Sequence, residues 1–310
     1  MTKDFVTKGL APMKQLPTQL GDPEAVKAVL KHAAFTIALE SGDEVQAMAM
    51  YLPAMDGKSS YDQFFELIKN GILENFVFSC TEIQKKTGSN RKIDAEELLQ
   101  KALRKLSRHT AKGELGELIL FTLLDVYLGA PKLLSKVSMK TNPRMPVYGA
   151  DAVHGQFHDG AFRLYLGESK LQKDFKAAAK KAATSISSAK AKYDDEFDLL
   201  DSYIDFPNID DETESEILSI LNPFSESHQA DIVHSPCFIG FTNPILIATD
   251  GGFDKFLNAY NLIAKEHFKE FYDQIREYGL PANESVLLIL PFTCVDNLVD
   301  EFVEYMGIEN

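Results

Sequence analysis

The run Leu164-Tyr165-Leu166-Gly167-Glu168-Ser169-Lys170 decides how this chain is read. It is apolar and strand-like, and it closes on an acid and a lysine separated by one residue. Side chains alternate along a strand, so Glu168 and Lys170 fall on the face that also carries Phe162, Leu164 and Leu166. An acid and an amine at the end of a buried face are costly without a partner or a task. The string alone is weak, and the chain holds three: Asp56-Gly57-Lys58, Glu168-Ser169-Lys170 and Asp174-Phe175-Lys176. The first lies in a turn after Pro53. The third lies on a helix, where positions i and i+2 diverge. Only the second ends an apolar strand, and its plain structural reading is a salt bridge at the strand end.

Upstream, Gly149-Ala150-Asp151-Ala152-Val153-His154 puts another acid at a distance suited to a hairpin with the Glu168 strand. Paired strands would bring the two carboxylates together, and close like charges repel unless a cation neutralises them. Oxygen ligands of this kind select Mg²⁺, with Mn²⁺ as a substitute. Two more acids stand in Lys112-Gly113-Glu114-Leu115-Gly116-Glu117, which opens an apolar helix. Its glycines allow close backbone approach, and an acid in the first turn suits the helix dipole. Glu114 and Glu117 lie near one face, so either can point into a site; helix-end charge complementarity is the bland alternative. His154 reads as a phosphate contact, as a group orienting the site, or as a turn histidine bonded to backbone. Gln172 is a further candidate for substrate contact. Carboxylates able to hold a hard cation beside a lysine are what a metal-dependent phosphodiesterase needs.

The chain has 310 residues, 45% hydrophobic and 25% charged, which argues for an ordinary globular protein. No apolar run approaches the roughly 20 residues that span a bilayer. The start, Met1-Thr2-Lys3-Asp4-Phe5, lacks the apolar core of a secretory signal, so no membrane and a cytoplasmic location are expected. Cys80, Cys237 and Cys294 form no CxxC pair, which leaves zinc-site spacing absent. The net charge of −14 argues at first against nucleic acid. Its distribution softens this. Residues 170–192 carry seven lysines and one acid, and residues 85–112 are also net basic. Between 194 and 216 there are eleven acids and no base, a candidate docking surface for a partner, as is the N-terminal region. Lys173, Lys176 and Lys180 are candidates for lining a DNA path, or they form a solvated helix face.

Along the chain, the spacing predicts a helix over 23–40, strands over 44–52 and 72–79, and a helix over 61–68 between them. The polar run 85–91 is the best candidate boundary, dividing an N-terminal α/β region, 1–85, from a larger domain, 86–310. Helices are expected over 94–108, capped by Asp94, and over 114–127. Strands are expected near 134–139, around Asp151, over 162–169, over 237–242 with an extension toward 248, and over 285–291. Helices over 173–192 and 253–278 complete a mixed α/β sheet covered by helices. No Gly-x-x-x-x-Gly-Lys-Ser/Thr string occurs, so ATP-driven unwinding would fall to a partner. No Gly-x-Ser-x-Gly elbow occurs either.

The acids and lysine together resemble the PD-(D/E)XK nuclease superfamily, with its restriction-endonuclease-like fold, in which a helix glutamate, an Asp and a Glu-x-Lys surround the metal. Gly113-x-x-Gly116-Glu117 is similar to the glycine-flanked helix glutamate, which makes Glu117 the first choice and Glu114 the second. Asp151 stands for the family Asp, although Ala150 precedes it where that family carries Pro. A narrower resemblance, over roughly 95–300, is to HamA, the effector of the Hachiman anti-phage system. It rests on Gly113-Glu114-x-Gly116-Glu117, Gly149-x-Asp151-x-x-His154 and Leu166-Gly167-Glu168-Ser169-Lys170 in that order. The resemblance implies a DNA-degrading nuclease held in check by a helicase partner, HamB. It also implies a divalent cation on Asp151, Glu168 and the Ser169 carbonyl, with Glu117 holding it directly or through water. Lys170 would then orient or deprotonate the attacking water, or stabilise charge on the phosphate. Two alternatives stay open: a nuclease fold that binds DNA or a partner without cutting, and a nuclease acting on RNA.

Overall fold

Seven strands make one mixed sheet: β1 (Lys31–Ala38), β2 (Glu44–Tyr51), β5 (Lys132–Leu134), β6 (Ala152–His158), β7 (Ala161–Gln172), β8 (Val233–Thr242) and β9 (Ser285–Phe292). A separate two-stranded hairpin joins β3 (Ala54–Met55) and β4 (Lys58–Ser59). The large sheet runs in the order β1-β2-β9-β8-β7-β6-β5. Its centre, β2-β9-β8-β7, is parallel, and both edges turn back as antiparallel pairs. The computed structural model describes residues 14–309 apart from 40, 41, 43, 53, 56, 57, 60, 89–93, 146–148, 207, 208, 226–231, 250 and 251. The chain start read for a signal, the Asp56-Gly57 pair and the end of the 85–91 run lie outside the described residues.

Helices cover both faces, as a sheet with two apolar sides requires. On one side lie α2 (Asp62–Leu67), α3 (Leu73–Val77), α4 (Cys80–Thr87), α5 (Ala95–Leu103), α6 (Ala111–Tyr127) and α12 (Val295–Met306), in one core with Phe238, Leu288, Leu290 and Phe292. On the other, α7 (Phe175–Ala191) and α11 (Phe253–Glu277) cover Cys237, Ile239, Leu287 and Ile289. The β5–β7 end of that side is closed by α8 (Tyr193–Tyr203) and α9 (Asp211–Leu221), whose Phe197, Leu200 and Ile217 meet Leu164 and Leu166. The odd and even residues of β9 enter different cores, which is why this strand reads as an unbroken apolar run. Among the described residues no helix is long and apolar enough to cross a membrane.

Most predicted elements stand close to their expected bounds, and Asp94 and Asp174 cap α5 and α7 by accepting from Glu97 N and Ala177 N. Four expectations change. The helix expected over 23–40 is α1 (Pro23–Val29) followed by strand β1. Exposure alternates along β1, with Ala33, Phe35 and Ile37 turned inward, so pairing with β2 outweighs the helical spacing of the same residues. The strand expected over 72–79 is helical: α2 continues through a π turn, Ile68–Ile72, kinked at Gly71, into α3. Short apolar runs do not distinguish a buried helix from a strand. The strand near 134–139 ends at Leu134, and turns follow, with Met139 N donating to Lys136 O at 3.2 Å. Finally, β8 stops at Thr242, because Pro244 opens the short helix α10 (Pro244–Ile247) under an Asn243 cap.

Candidate active site

The hairpin of β6 and β7 builds the centre of the site. Ala152 pairs with Gly167 in the antiparallel register, so Asp151, one residue before β6, falls beside Glu168. Asp151 N donates to Gly167 O at 3.0 Å. Its Oδ2 accepts from Ser169 N at 2.8 Å and from Ser169 Oγ at 3.0 Å. Glu168 is 6% exposed and accepts from Lys170 Nζ and from the hydroxyl of Ser185 on α7. Lys170 Nζ also lies 3.2 Å from Ser169 O. The strand runs two residues past Lys170, to Gln172.

Electrostatics tie these groups together. Burial first, and then Asp151, push the Glu168 carboxyl up to about 7, against the pull of Lys170. Burial opposes the charge on Lys170, yet Glu168 and Asp151 outweigh it and hold the amine above its ordinary value. Glu117 is raised further, to about 8, by burial and then by Asp151, with Lys140 opposing. Three carboxylates therefore share one region, and Asp151 makes each of the other two harder to ionise.

α6 reaches the hairpin because Gly116 is small: a Cβ there would stand 3.1 Å from Ser169 Oγ. The geometry separates the two glutamates of this helix. Glu114 is fully engaged, accepting from Ser107 N at 3.2 Å, from Thr110 Oγ1 at 2.7 Å and from Lys140 Nζ. Glu117 points to the cavity that Asp151 also lines.

That cavity, 230 Å³ in volume, lies between the start of α6 and the segment 136–151. Lys112, Lys136 and Lys140 line it together with Glu114, Glu117 and Asp151. The sequence reading missed Lys136, which falls in a segment it took for strand, and Lys140, directly after it. Each is buried in an ion pair, Lys140 with Glu114 and Lys136 with Glu196 at 3.0 Å. Glu196, read as one member of a surface acidic run, is instead 4% exposed and also accepts from Ala150 N at 2.8 Å. The close approach demands glycine at 149, where φ is +104° and a Cβ would stand 1.8 Å from Glu196 Oε1. No local pattern announces such a pairing; its members are 60 residues apart.

The remaining candidates scatter. His154 is buried on β6, its Nδ1 2.7 Å from Ala130 O and its ring against Phe121, and burial lowers its pKa to about 3. The neutral imidazole is thus bonded to backbone, as one of its three readings had it, although on a strand and not in a turn. Gln172 accepts from Lys181 Nζ at 3.3 Å. Lys173 pairs with Asp296 at 2.9 Å, and Lys112 reaches the other oxygen of the same carboxylate at 3.0 Å. Lys176 lies 3.6 Å from Glu270, and Lys180 is exposed on α7.

Among the described residues no three His, Cys, Asp or Glu side chains stand converged as a ready-made metal centre. The donor set nonetheless fits a hard divalent cation by chemistry and charge. Asp151, Glu168 and Glu117 offer carboxylate oxygens and Ser169 offers a carbonyl, and a cation would offset both the burial and, after it, the Asp151 charge that hold Glu117 and Glu168 up.

The chain matches no curated protein and no solved structure. It does match HamA over residues 27–306. That span runs from α1 to the end of α12 and includes every side chain of the cavity. The chain belongs to the HamA family of the Hachiman anti-phage defence system.

Proposed function

We propose that this chain is a Mg²⁺-dependent DNA nuclease of PD-(D/E)XK type, the effector of an anti-phage system, working under the control of a HamB-type helicase. The observation that carries the reading is the hairpin step that sets Asp151 against Ser169, between Glu168 and Lys170, with Glu117 facing Asp151 from α6. Asp151, Glu168 and the Ser169 carbonyl would hold the cation, and Glu117 would hold it directly or through water. When bound, such a cation supplies Lewis acidity toward the phosphate and a more acidic water.

The chain's own groups supply the rest. Lys170, kept cationic by Glu168 and Asp151, is placed to orient the attacking water and to offset charge that develops on the phosphate. Ser169 holds Asp151 in one orientation. Lys136 and Lys140 bring positive charge to the cavity wall, which lowers the cost of ionising Glu117 and favours an anionic substrate.

The test is degradation of supercoiled plasmid by the purified chain with Mg²⁺, with Mn²⁺ and with chelator, beside Glu168→Ala and Lys170→Ala. Cleavage that needs the metal and is lost in both variants supports the proposal. The Glu168–Lys170 ion pair also suits a fold that binds DNA without cutting. DNA binding with no cleavage under any metal would establish that second reading, and cleavage of RNA alone would change the substrate.

A further inference from the structure

Outside the carboxylate cavity lies a second, wider depression of 700 Å³, lined by Ser107, Arg108, His109, Asn142, Arg144 and Met145. His109 lines both, so the two adjoin. Among the described residues no acid lines the outer basin, although the chain carries 46 acids and a net charge of −14. Two of its walls are turns fastened to the same anchor. Glu114 accepts from Ser107 N and Thr110 Oγ1 on one side and from Lys140 Nζ on the other, and Thr110 Oγ1 lies 3.3 Å from Pro143 O. Arg144 N donates to Asn142 Oδ1 at 3.0 Å, which shapes the second turn.

The cations around the site differ in their commitments. Lys112, Lys136, Lys140, Lys170 and Lys173 each pair with a carboxylate. The guanidinium groups of Arg108 and Arg144 are exposed and make no ion pair with a described residue. They are two of only six arginines in the chain. Beside them Met145 is 57% exposed and presents an apolar surface. Uncommitted arginines beside an apolar side chain, with no acid among the described lining residues, suit a strand of phosphates carrying sugars and bases.

We infer that this basin seats the DNA backbone next to the scissile phosphate, with Arg108 and Arg144 forking onto phosphate oxygens and Met145 under a sugar or base. The inference rests on the nuclease reading and adds to it the path by which the strand enters. His109 marks the passage from basin to cavity. Glu114 is a positioning residue here, since it holds both walls and does not reach the strand.

The experiment uses the full chain carrying Lys170→Ala, so that the probe is not cut, with a fluorescent oligonucleotide followed by anisotropy across a salt series. Adding Arg108→Ala and Arg144→Ala should weaken binding on the order of tenfold or more and flatten the slope of log K against log salt by about 1.5, close to two lost phosphate contacts. Returning lysine at both positions should restore most of the slope. In the otherwise native chain the same pair should raise KM for cleavage and leave kcat nearly unchanged. Unchanged affinity and slope in a folded double variant would overturn the inference. So would loss of helicase association with DNA binding intact, which would make the basin a protein contact. If the native chain shows an arginine-dependent salt slope but never cleaves, the nuclease reading fails and the basin stands. If it cleaves and the double variant cleaves with the same KM, the reverse holds.

Discussion

Asp151 and Ser169 are joined by two hydrogen bonds to a single carboxylate oxygen, one from the backbone N–H and one from the hydroxyl, at 2.8 and 3.0 Å. The link crosses from the entry of one strand to the middle of an acid–lysine pair on the next. It fixes which way Asp151 faces and leaves its other oxygen for a different partner.

Ser169→Ala keeps the backbone bond and loses the hydroxyl, so it should cost about 1 kcal/mol of stability in urea unfolding. Cleavage should fall only modestly. Asp151→Ala should lose cleavage altogether. Equal losses in the two variants would mean that the carboxylate has no role beyond accepting these bonds.

Glu114 and Glu117 should separate cleanly. Glu114→Ala leaves Lys140 buried without its counter-charge, a change that costs roughly 3–5 kcal/mol when a buried pair is broken. Glu117→Gln removes an acid already pushed up to about 8, so stability should hold or rise while cleavage is lost. Denaturant melts paired with a plasmid assay would show it, and the opposite pattern would exchange the roles assigned to the two glutamates.

Gly149→Ala meets both a left-handed backbone and a Cβ position 1.8 Å from Glu196 Oε1. Backbone strain alone should cost about 1–3 kcal/mol, and displacement of the Lys136–Glu196 pair adds to it. Combining the change with Lys136→Met and Glu196→Leu should recover the steric part. A midpoint unchanged in the single variant would show that the ion pair moves aside freely.

The metal-free chain should become less stable as pH rises from about 6.5 to 8, above the range in which buried, neutral His154 opposes the trend. Glu117 and Glu168 bind protons in the folded state, up to about 8 and 7, that the unfolded chain has released, so folding is favoured below the ordinary glutamate value and that gain fades through the folded values. Adding Mg²⁺ should flatten or reverse the slope, because the cation needs both groups ionised. Melting temperatures across this range, with and without magnesium, would decide it. An identical slope in Glu117→Gln/Glu168→Gln would place the effect elsewhere.

Local pattern carried much of this protein. Alternation along β7, the apolar run of β9, the cap at Asp94 and the glycine-flanked start of α6 are short-range features, and the elements they announce are present. The placing of Asp151 beside Glu168 was legible because their separation suits a hairpin, and that of Glu168 and Lys170 because alternation puts both on one face. Where one spacing suits two structures, as over 31–38 and 72–79, pairing and burial made the choice. The cavity wall depended on tertiary structure entirely. Lys136 and Lys140 carry no mark in the chain that separates them from surface lysines, and Glu196 none that separates it from its acidic neighbours. Their positions follow from desolvation: a charge buried by the packing of distant elements is tolerated only where an opposite one is buried with it.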